Sequence, residues 1–443
     1  MIFAKQPIFI LWDESHIWGL MAWRAVRALG LPCRLVKGNE IAEGTLLRKP
    51  QHTRSSSTHT GMLLVPGGNA RLKAYSLGPA GREAIRYWLA AGGNYLGFCG
   101  GAGLALTQPQ PDEGLNICPW TRANYPQRLN HLISGHVQSH VTLGHTFSPK
   151  SHVPADGLLS LPVWWPGQFA QQKCPNVQVL GICHRPDKDF WIADLPLQRL
   201  PSGTIEHWRS LYGVNLSADF LEGHPLVITG TYGSGRYVLS YSHLETPHSP
   251  MANTWLAQII ANMTQLAPKS DQVPLWQLRH PRISWPDDHE RTLLMDALRH
   301  MRALLDLAVE HHLFFARTHW LWGWRTSLPG ASCNHLHAAL CSALELKPTP
   351  AARIYWSEMS SRFATLEHIF MSGAEEYFLA CRLADTLSPS QPDIVEKRWL
   401  DHQRESLFGH PMYGRGILSE LLSIIEEVIY LSQDNALTDT EVI

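Results

Sequence analysis

The first hundred residues alternate between short apolar runs and amphipathic stretches. The apolar runs lie at residues 8–12, 33–36, 62–65 and 95–98. Runs of this length, bounded by turn residues, are typical of buried parallel strands. Apolar positions at helical spacing occupy residues 16–29 and 83–91. The resulting order of strands and helices predicts an α/β fold, in which helices cover both faces of a parallel, doubly wound sheet.

The middle of the chain has a weaker pattern. Residues 108–200 contain many Pro, Gly and His residues with little periodicity, and only residues 177–183 predict a strand. Residues 226–230 and 237–241 flank a glycine-rich turn, which predicts a hairpin that returns to the sheet.

The pattern becomes helical after a proline-rich stretch at residues 267–290. Apolar residues then recur at spacings typical of the core-facing side of a helix. They include Leu294, Leu298, Met301 and Leu305, and near the end of the chain Leu418, Leu421, Ile425 and Val428. We therefore predict an α/β domain at residues 1–266, a linker at 267–290 and a smaller all-α domain at 291–443.

Charge and composition exclude several classes of function. Lys plus Arg number 37 and Asp plus Glu 38, for a net charge of -1, so no basic surface is expected for nucleic acid or for a membrane. No run approaches the roughly 20 apolar residues of a membrane span. The 8 cysteines form no CxxC pair, and the helical region lacks Glu-x-x-His pairs. We expect a cytoplasmic protein with reduced thiols, and with neither a metal nor a cofactor.

One cysteine lies at a turn suited to a nucleophile. The apolar run that ends at Phe98 leads directly into Cys99, and glycine-rich residues 100–103 lead into a predicted helix. This is the arrangement of a nucleophile elbow, with cysteine in place of serine. Glycines leave room for the tight turn, and the N–H groups at a helix N-terminus favour a thiolate. The alternative is a buried, unreactive cysteine in a glycine-rich turn.

A second segment supplies the groups that such a thiol needs. A predicted strand follows Gly235 and leads to His243-Leu244-Glu245. Residues two apart on a strand share a face. His243 can therefore act as the base and Glu245 as its orienting carboxylate, if the strand extends that far. The alternative is an exposed histidine near a strand end, because the chain has 24 histidines.

These segments together resemble the class I glutamine amidotransferase superfamily. More narrowly, they resemble the amidotransferase-like domain at the N-terminus of eukaryotic biotin protein ligases, which also occurs as free-standing bacterial proteins. The resemblance covers roughly residues 5–265. It rests on residues 65–70, 93–102 and 235–245, with a looser match at 163–169. It implies a flavodoxin-like, doubly wound sheet of the class I amidotransferase type.

The resemblance also implies a catalytic site. Cys99, His243 and Glu245 would form the triad. The backbone N–H groups of Gly68 and Gly100 would form the oxyanion hole.

The substrate is less defined by this resemblance. Gly67, Trp164 and Trp165 would border it. Glutaminases of this superfamily have a glutamine at the position of Gly103, so we expect negligible glutamine hydrolysis and a pocket open to a bulkier or less polar substrate. Residues 290–443 lack the Gly/Arg-rich adenylate loop of a biotin ligase, and biotin ligation is not expected.

Two functions remain open at the level of sequence. The first is a cysteine-dependent hydrolase or acyl-transfer enzyme that acts on an unknown amide or carbonyl compound, either a small molecule or peptide-like. The second is a catalytically weak binding or regulatory module with the same fold, whose helical domain docks a protein partner. The aromatic residues 319–324 are predicted to lie in the core, with stacking on a ligand or partner as the alternative.

Overall fold

The computed structural model describes most of the chain. The described residues are 7–47, 61–124, 133–150, 153–192, 195–286, 288–315, 327–387, 395–409 and 415–433, and the aromatic residues 319–324 lie outside them. The chain divides between Pro274 and Leu275 into two compact units. The first unit is mixed α/β and the second is helical. No helix in the described ranges is both long and apolar enough to cross a membrane.

Five neighbouring strands of the first unit run parallel to one another. They are β1 (Ile8–Leu11), β2 (Cys33–Val36), β3 (Met62–Val65), β4 (Asn94–Phe98) and β13 (Gly235–Ser240). They pair in the order β2-β1-β3-β4-β13. Every residue of β1, β3 and β4 is buried, which explains why these strands appear in the sequence as continuous apolar runs.

The described residues of the first unit include six α-helices. They are α1 (His16–Ala28), α2 (Gly38–Ala42), α3 (Ala70–Ala90), α4 (Gly100–Ala105), α5 (Thr204–Tyr212) and α6 (Pro250–Thr264). Helix α3 is longer than the predicted helix at 83–91, and it is kinked where Gly78, with φ of 59°, precedes Pro79. The kink separates two helical segments, so the sequence periodicity revealed only the second.

The rest of the sheet in the first unit is antiparallel, so the expected parallel arrangement holds for only part of this sheet. The additional strands are β5 (Thr121–Arg122), β6 (Ile133–Val141), β7 (Leu158–Trp164), β8 (Phe169–Ala170), β9 (Val177–Pro186), β10 (Trp191–Ile192), β11 (Leu195–Pro196) and β12 (Pro225–Tyr232). Beyond β13 the sheet continues in the order β12-β9-β6-β10-β11, and β7 also pairs with β6. The predicted hairpin is the antiparallel pair β12–β13.

The regular secondary structure in the described residues of the second unit is helical. They are α7 (His289–Glu310), α8 (Ser327–Glu345), α9 (Pro350–Leu387), α10 (Lys397–Phe408) and α11 (Ile417–Ser432). The apolar stripes predicted on the first and last of these helices are buried. The expectation of a helical C-terminal region is therefore confirmed.

The described residues of the proline-rich segment 267–290 are packed, the first part within the first unit and the later part within the second unit. In the first unit, the N–H group of Val273 donates to Oδ1 of Asn253 at 3.2 Å. In the second unit, the Trp285 indole donates to the carbonyl of Ala343 at 2.8 Å. The segment lacks periodicity because its backbone is irregular, while its apolar side chains still join a core.

The parallel strands bring three loops to one side of the first unit. Strands β3, β4 and β13 are neighbours in the sheet and point the same way. The segments that follow their carboxyl ends therefore meet at the same edge, where ligands bind in open α/β sheets. These segments begin at Pro66, Cys99 and Tyr241.

Candidate active site

Cys99 lies at a strained turn between β4 and α4. Its backbone has φ of 45° and ψ of -103°, a conformation that non-glycine residues rarely adopt and that is often found at functional sites. The turn is held because the N–H group of Cys99 donates to the carbonyl of Ser240 at 2.7 Å. Cys99 is half-buried, and the predicted nucleophile elbow therefore has the expected backbone.

The glycines beside Cys99 allow backbone segments to approach closely. A Cβ atom at Gly100 would collide with the carbonyl oxygen of Gly68, and one at Gly101 would collide with that of Val65. The loop after β3 is itself fixed, because the side chain of Asn69 caps helix α3 by accepting from two backbone N–H groups. The structure thus brings the two predicted oxyanion-hole residues into contact.

His243 and Glu245 form a buried pair beyond the end of β13. Nδ1 of His243 lies 2.7 Å from Oε1 of Glu245, and neither side chain is exposed to solvent. The strand ends at Ser240, so the pair does not arise from alternation along a strand as expected. It arises from a turn in which the N–H group of Thr246 donates to the carbonyl of His243 at 3.0 Å.

The His243 ring is enclosed on several sides. Trp18 stacks on it, with ring centroids 4.6 Å apart and planes inclined by 30°. A Cβ atom at Gly67 would lie 2.9 Å from the imidazole Cε1, so this glycine provides room for the ring. The backbone N–H of His243 donates to the carbonyl of Pro162 in β7 at 2.9 Å.

The electrostatic surroundings keep His243 protonated near neutral pH. Burial by itself lowers the pKa of His243, but the Glu245 carboxylate and the Cys99 sulfur oppose burial and raise this pKa to about 10. Nε2 is buried and makes no hydrogen bond of standard geometry with the described residues.

The three predicted substrate residues differ in their surroundings. Gly67 packs on the His243 ring, as described above. Trp165 is half-buried and meets the edge of Trp18, with centroids 6.1 Å apart. Trp164 is only 3% exposed, and its indole N–H donates to Thr246 at 3.2 Å. Trp164 therefore supports the turn that carries His243 and Glu245, and it does not border an open pocket.

Trp18 is a site residue that the sequence analysis missed. It lies on α1, far along the chain from the other residues of the site, and it contacts both His243 and Trp165. The only sequence signal was an aromatic residue inside an amphipathic helix, which more often belongs to a core.

The position of Gly103 offers less space than expected. A Cβ atom there would lie 3.3 Å from Cβ of Ala70 and 3.9 Å from the hydroxyl oxygen of Tyr241. Gly103 itself is buried. The expected opening for a bulkier substrate at this position is therefore occupied by protein atoms.

A buried lysine supports the loop that precedes α1. Lys73 is 0% exposed, and its ammonium group donates to Oγ of Ser15 at 2.5 Å and to the carbonyl of Asp13 at 3.1 Å. The same loop contacts the predicted oxyanion hole, because a Cβ atom at Gly68 would collide with the carbonyl oxygen of Glu14.

Comparisons with known proteins place the chain in no family. No family model matches it, and no curated protein matches it. A ThuA-like protein from Bacteroides uniformis is similar over 59% of this chain and 94% of its own, with 12% identity and a TM-score of 0.35. A β-galactosidase from Bacillus circulans sp. alkalophilus is similar over 59% of this chain, with 11% identity and a TM-score of 0.33, and the match spans only 31% of the β-galactosidase. These identities and TM-scores are too low to carry a function to this chain.

Proposed function

We propose that the protein is a cysteine-dependent hydrolase or acyl-transfer enzyme that acts on an amide or related carbonyl compound. The observation that carries the proposal is the buried His243–Glu245 pair beside a cysteine at a strained elbow. The pair is joined at 2.7 Å, and the Cys99 sulfur helps to raise the pKa of His243. Nucleophile, base and orienting carboxylate are the parts that covalent acyl transfer requires.

We also propose a class I amidotransferase-like origin for the first unit, with a flavodoxin-like, doubly wound arrangement of its parallel half. The strand order β2-β1-β3-β4-β13 supports this, because it follows the 2-1-3-4-5 order of flavodoxin-like sheets. Further support comes from the placement of Cys99 after the fourth strand of that order and of His243 beyond the fifth.

The proposed reaction has two steps. In the first, the Cys99 thiolate attacks the carbonyl carbon and the His243 imidazolium protonates the leaving amine, so that a thioester forms as the C–N bond breaks. In the second, His243 accepts a proton from water or another acceptor, which attacks the thioester and releases Cys99. Glu245 holds Nδ1 of His243 throughout, so that Nε2 exchanges the proton.

The oxyanion that forms in each step requires hydrogen-bond donors, and we assign this role to the backbone N–H groups of Gly68 and Gly100. The close approach of their backbones supports the assignment. The N-terminus of α4 adds a favourable dipole at the same place. Trp18 and Trp165 are both half-buried, which suits them to contact the substrate beside the thiolate.

The proposal is tested by following acyl transfer to Cys99. Purified protein is incubated with a panel of small anilides and with glutamine, and the covalent adduct is mapped by mass spectrometry. We expect an acyl group on Cys99 with at least one anilide, its loss in Cys99→Ser and its retention in Cys381→Ser. Cys381 is another partly exposed cysteine, and it lies on α9 of the other unit.

Glutamine provides the second readout of the same experiment. Negligible ammonia release is expected, because Gly103 has no side chain to hold the substrate amide. Robust release that disappears in Cys99→Ser would show that Gly103 does not limit the reaction. Failure of every acyl donor to modify Cys99 would favour a binding or regulatory module instead.

A further inference from the structure

A second hydrogen-bonded set of catalytic residue types lies outside the Cys99 site. His136 is on β6, Asp189 is in the turn between β9 and β10, and Ser249 directly precedes α6. Nδ1 of His136 lies 2.7 Å from Oδ2 of Asp189. Nε2 of His136 lies 2.9 Å from Oγ of Ser249. The three side chains therefore form a continuous chain in the order that serine hydrolases use.

The aspartate determines which nitrogen of His136 is the base. Its two oxygens both face this residue: Oδ1 accepts from the backbone N–H of His136 at 2.9 Å, and Oδ2 faces Nδ1. An ionised carboxylate can only accept hydrogen bonds. In the neutral imidazole the proton therefore lies on Nδ1, and Nε2 is left to accept from the Ser249 hydroxyl.

The backbone holds this arrangement in place. The N–H group of Asp187 donates to the carbonyl of His136 at 2.9 Å. Gly135 has φ of 127°, and a Cβ atom there would lie 2.5 Å from the carbonyl oxygen of Asp189. The turn that carries Asp189 can approach β6 this closely only because a glycine precedes His136.

Ser249 departs from the usual behaviour of a serine before a helix. Such a serine normally caps the helix by accepting from an N–H group of the first turn, but Ser249 makes no cap hydrogen bond with its side chain. Its hydroxyl is instead bonded to His136. Pro250 has no N–H group, and the N–H groups of Met251 and Ala252 lie at positions that have no intrahelical acceptor. Such groups next to a nucleophile can stabilise an oxyanion.

Burial limits what such a site can accept. Ser249 is 3% exposed, whereas the side chains of His136 and Asp189 are 22% and 47% exposed. The nucleophile thus lies deeper than its base and carboxylate. From this geometry we infer that Ser249, His136 and Asp189 form a second acyl-transfer site, which hydrolyses esters with small acyl groups independently of Cys99.

The reaction at this site is balanced without any co-reactant except water. Oγ of Ser249 attacks the ester carbon while its proton passes to Nε2 of His136. The imidazolium then protonates the leaving alkoxide as the C–O bond breaks, which leaves an acyl-serine. Water then attacks the acyl carbon while its proton passes to Nε2 of His136. The imidazolium returns a proton to Oγ of Ser249 as the acyl C–O bond breaks, which releases the acid and regenerates the Ser249 hydroxyl.

The inference is tested on the full chain with methanesulfonyl fluoride, whose methylsulfonyl group is close in size to an acetyl group. The reaction forms an Oγ–S bond, breaks the S–F bond and transfers the serine proton to His136 as fluoride leaves. Peptide mapping by mass spectrometry locates the label. We expect it on Ser249 in the wild type and in Cys99→Ser, so that the result does not depend on the proposed cysteine chemistry.

Variants distinguish a catalytic set from a structural network. Ser249→Ala removes the label, and His136→Gln and Asp189→Asn slow labelling by about 100-fold, which is the contribution expected of a general base. Ser160→Ala is the matched control, because Ser160 donates to Asp187 at 2.6 Å with no histidine between them, and it leaves labelling unchanged. Circular dichroism confirms that each variant is folded.

Two results would overturn the inference. One is the absence of label on Ser249 in the folded wild type. The other is labelling of Ser249 that is equally fast in folded His136→Gln and Asp189→Asn. A second readout is the hydrolysis of p-nitrophenyl acetate. We expect Cys99→Ser to retain this hydrolysis and the double variant Cys99→Ser, Ser249→Ala to lose it.

Discussion

At the scale of single residues, the proposed chemistry depends on a charge on His243, which is buried inside the protein. His243 has no exposed surface, and burial alone would favour its neutral form. The Glu245 carboxylate and the Cys99 sulfur reverse that preference and raise the pKa of His243 to about 10. Removing the carboxylate charge while keeping its shape should therefore leave burial as the dominant effect.

This balance predicts the behaviour of Glu245→Gln. The pKa of His243 is expected to fall well below about 10, because the amide carries no charge to offset burial and only the Cys99 sulfur still opposes it. A pH titration of the imidazole NMR signals measures this change directly. An unchanged His243 pKa in Glu245→Gln would show that the carboxylate does not stabilise the imidazolium.

The same pKa has a consequence for stability. A histidine with a raised pKa in the folded state stabilises the fold fully below its unfolded pKa of about 6.5, and this contribution is lost as the pH rises through about 10. The wild type should therefore lose more free energy of unfolding between these two pH values than Glu245→Gln does. Urea unfolding of both proteins across this range provides the measurement.

Trp18 is the residue whose role was least visible in the sequence. Its stacking on the His243 ring predicts that Trp18→Ala frees the imidazole and slows the alkylation of Cys99 about tenfold. The loss of stability should be only about 1 kcal/mol, and Trp18→Phe should retain most of the reactivity. Trp399→Ala, at another partly exposed tryptophan, is the control. Equal alkylation rates in Trp18→Ala and the wild type would remove Trp18 from the site.

At the scale of elements, the sequence was most informative where strands are fully buried. The runs at residues 33–36 and 62–65 coincide with β2 and β3. Within residues 108–200, the predicted strand at 177–183 corresponds to β9. The other antiparallel strands described there escaped prediction, because their faces differ in burial and polar residues interrupt the pattern. In β6, His136, Gln138 and His140 alternate with buried positions, and a strand of this kind has no continuous apolar run.

The structure of this turn predicts different losses of stability when two glycines of the short helix α4 are each replaced by alanine. Ala at position 100 would collide with the carbonyl of Gly68, whereas Ala at 103 meets its nearest atom at 3.3 Å. Alanine favours a helix by the same amount at both positions, about 1 kcal/mol. Gly100→Ala is thus expected to cost about 3 kcal/mol or more of unfolding free energy, and Gly103→Ala about 1 kcal/mol or less. Thermal and urea unfolding compare the two, and equal stabilities would contradict the described contact.

At the scale of the whole molecule, residues that lie in one short motif can be predicted from the sequence, whereas groups of residues from distant parts of the chain cannot. Cys99 and the His243–Glu245 pair could be predicted, because each lies in a short, recognisable segment. Ser249, His136 and Asp189 could not, since they come from three separate parts of the chain and have no common motif. The division into an α/β unit and a helical unit could be predicted, because the pattern of apolar residues becomes helical after the proline-rich residues.

The proposed pairing of Cys99 with His243 makes Cys99 the most nucleophilic thiol of the protein, and the alkylation rates of the cysteines measure this. Intact protein is treated with iodoacetamide at pH 6.5 and the rate at each of the 8 cysteines is followed by peptide mass spectrometry. Cys99 is expected to react fastest, and His243→Gln is expected to slow its alkylation by about tenfold or more while the rate at Cys381 stays unchanged. A Cys99 that reacts no faster than the other cysteines, or equally fast in His243→Gln, would contradict the proposed activation of Cys99 by His243.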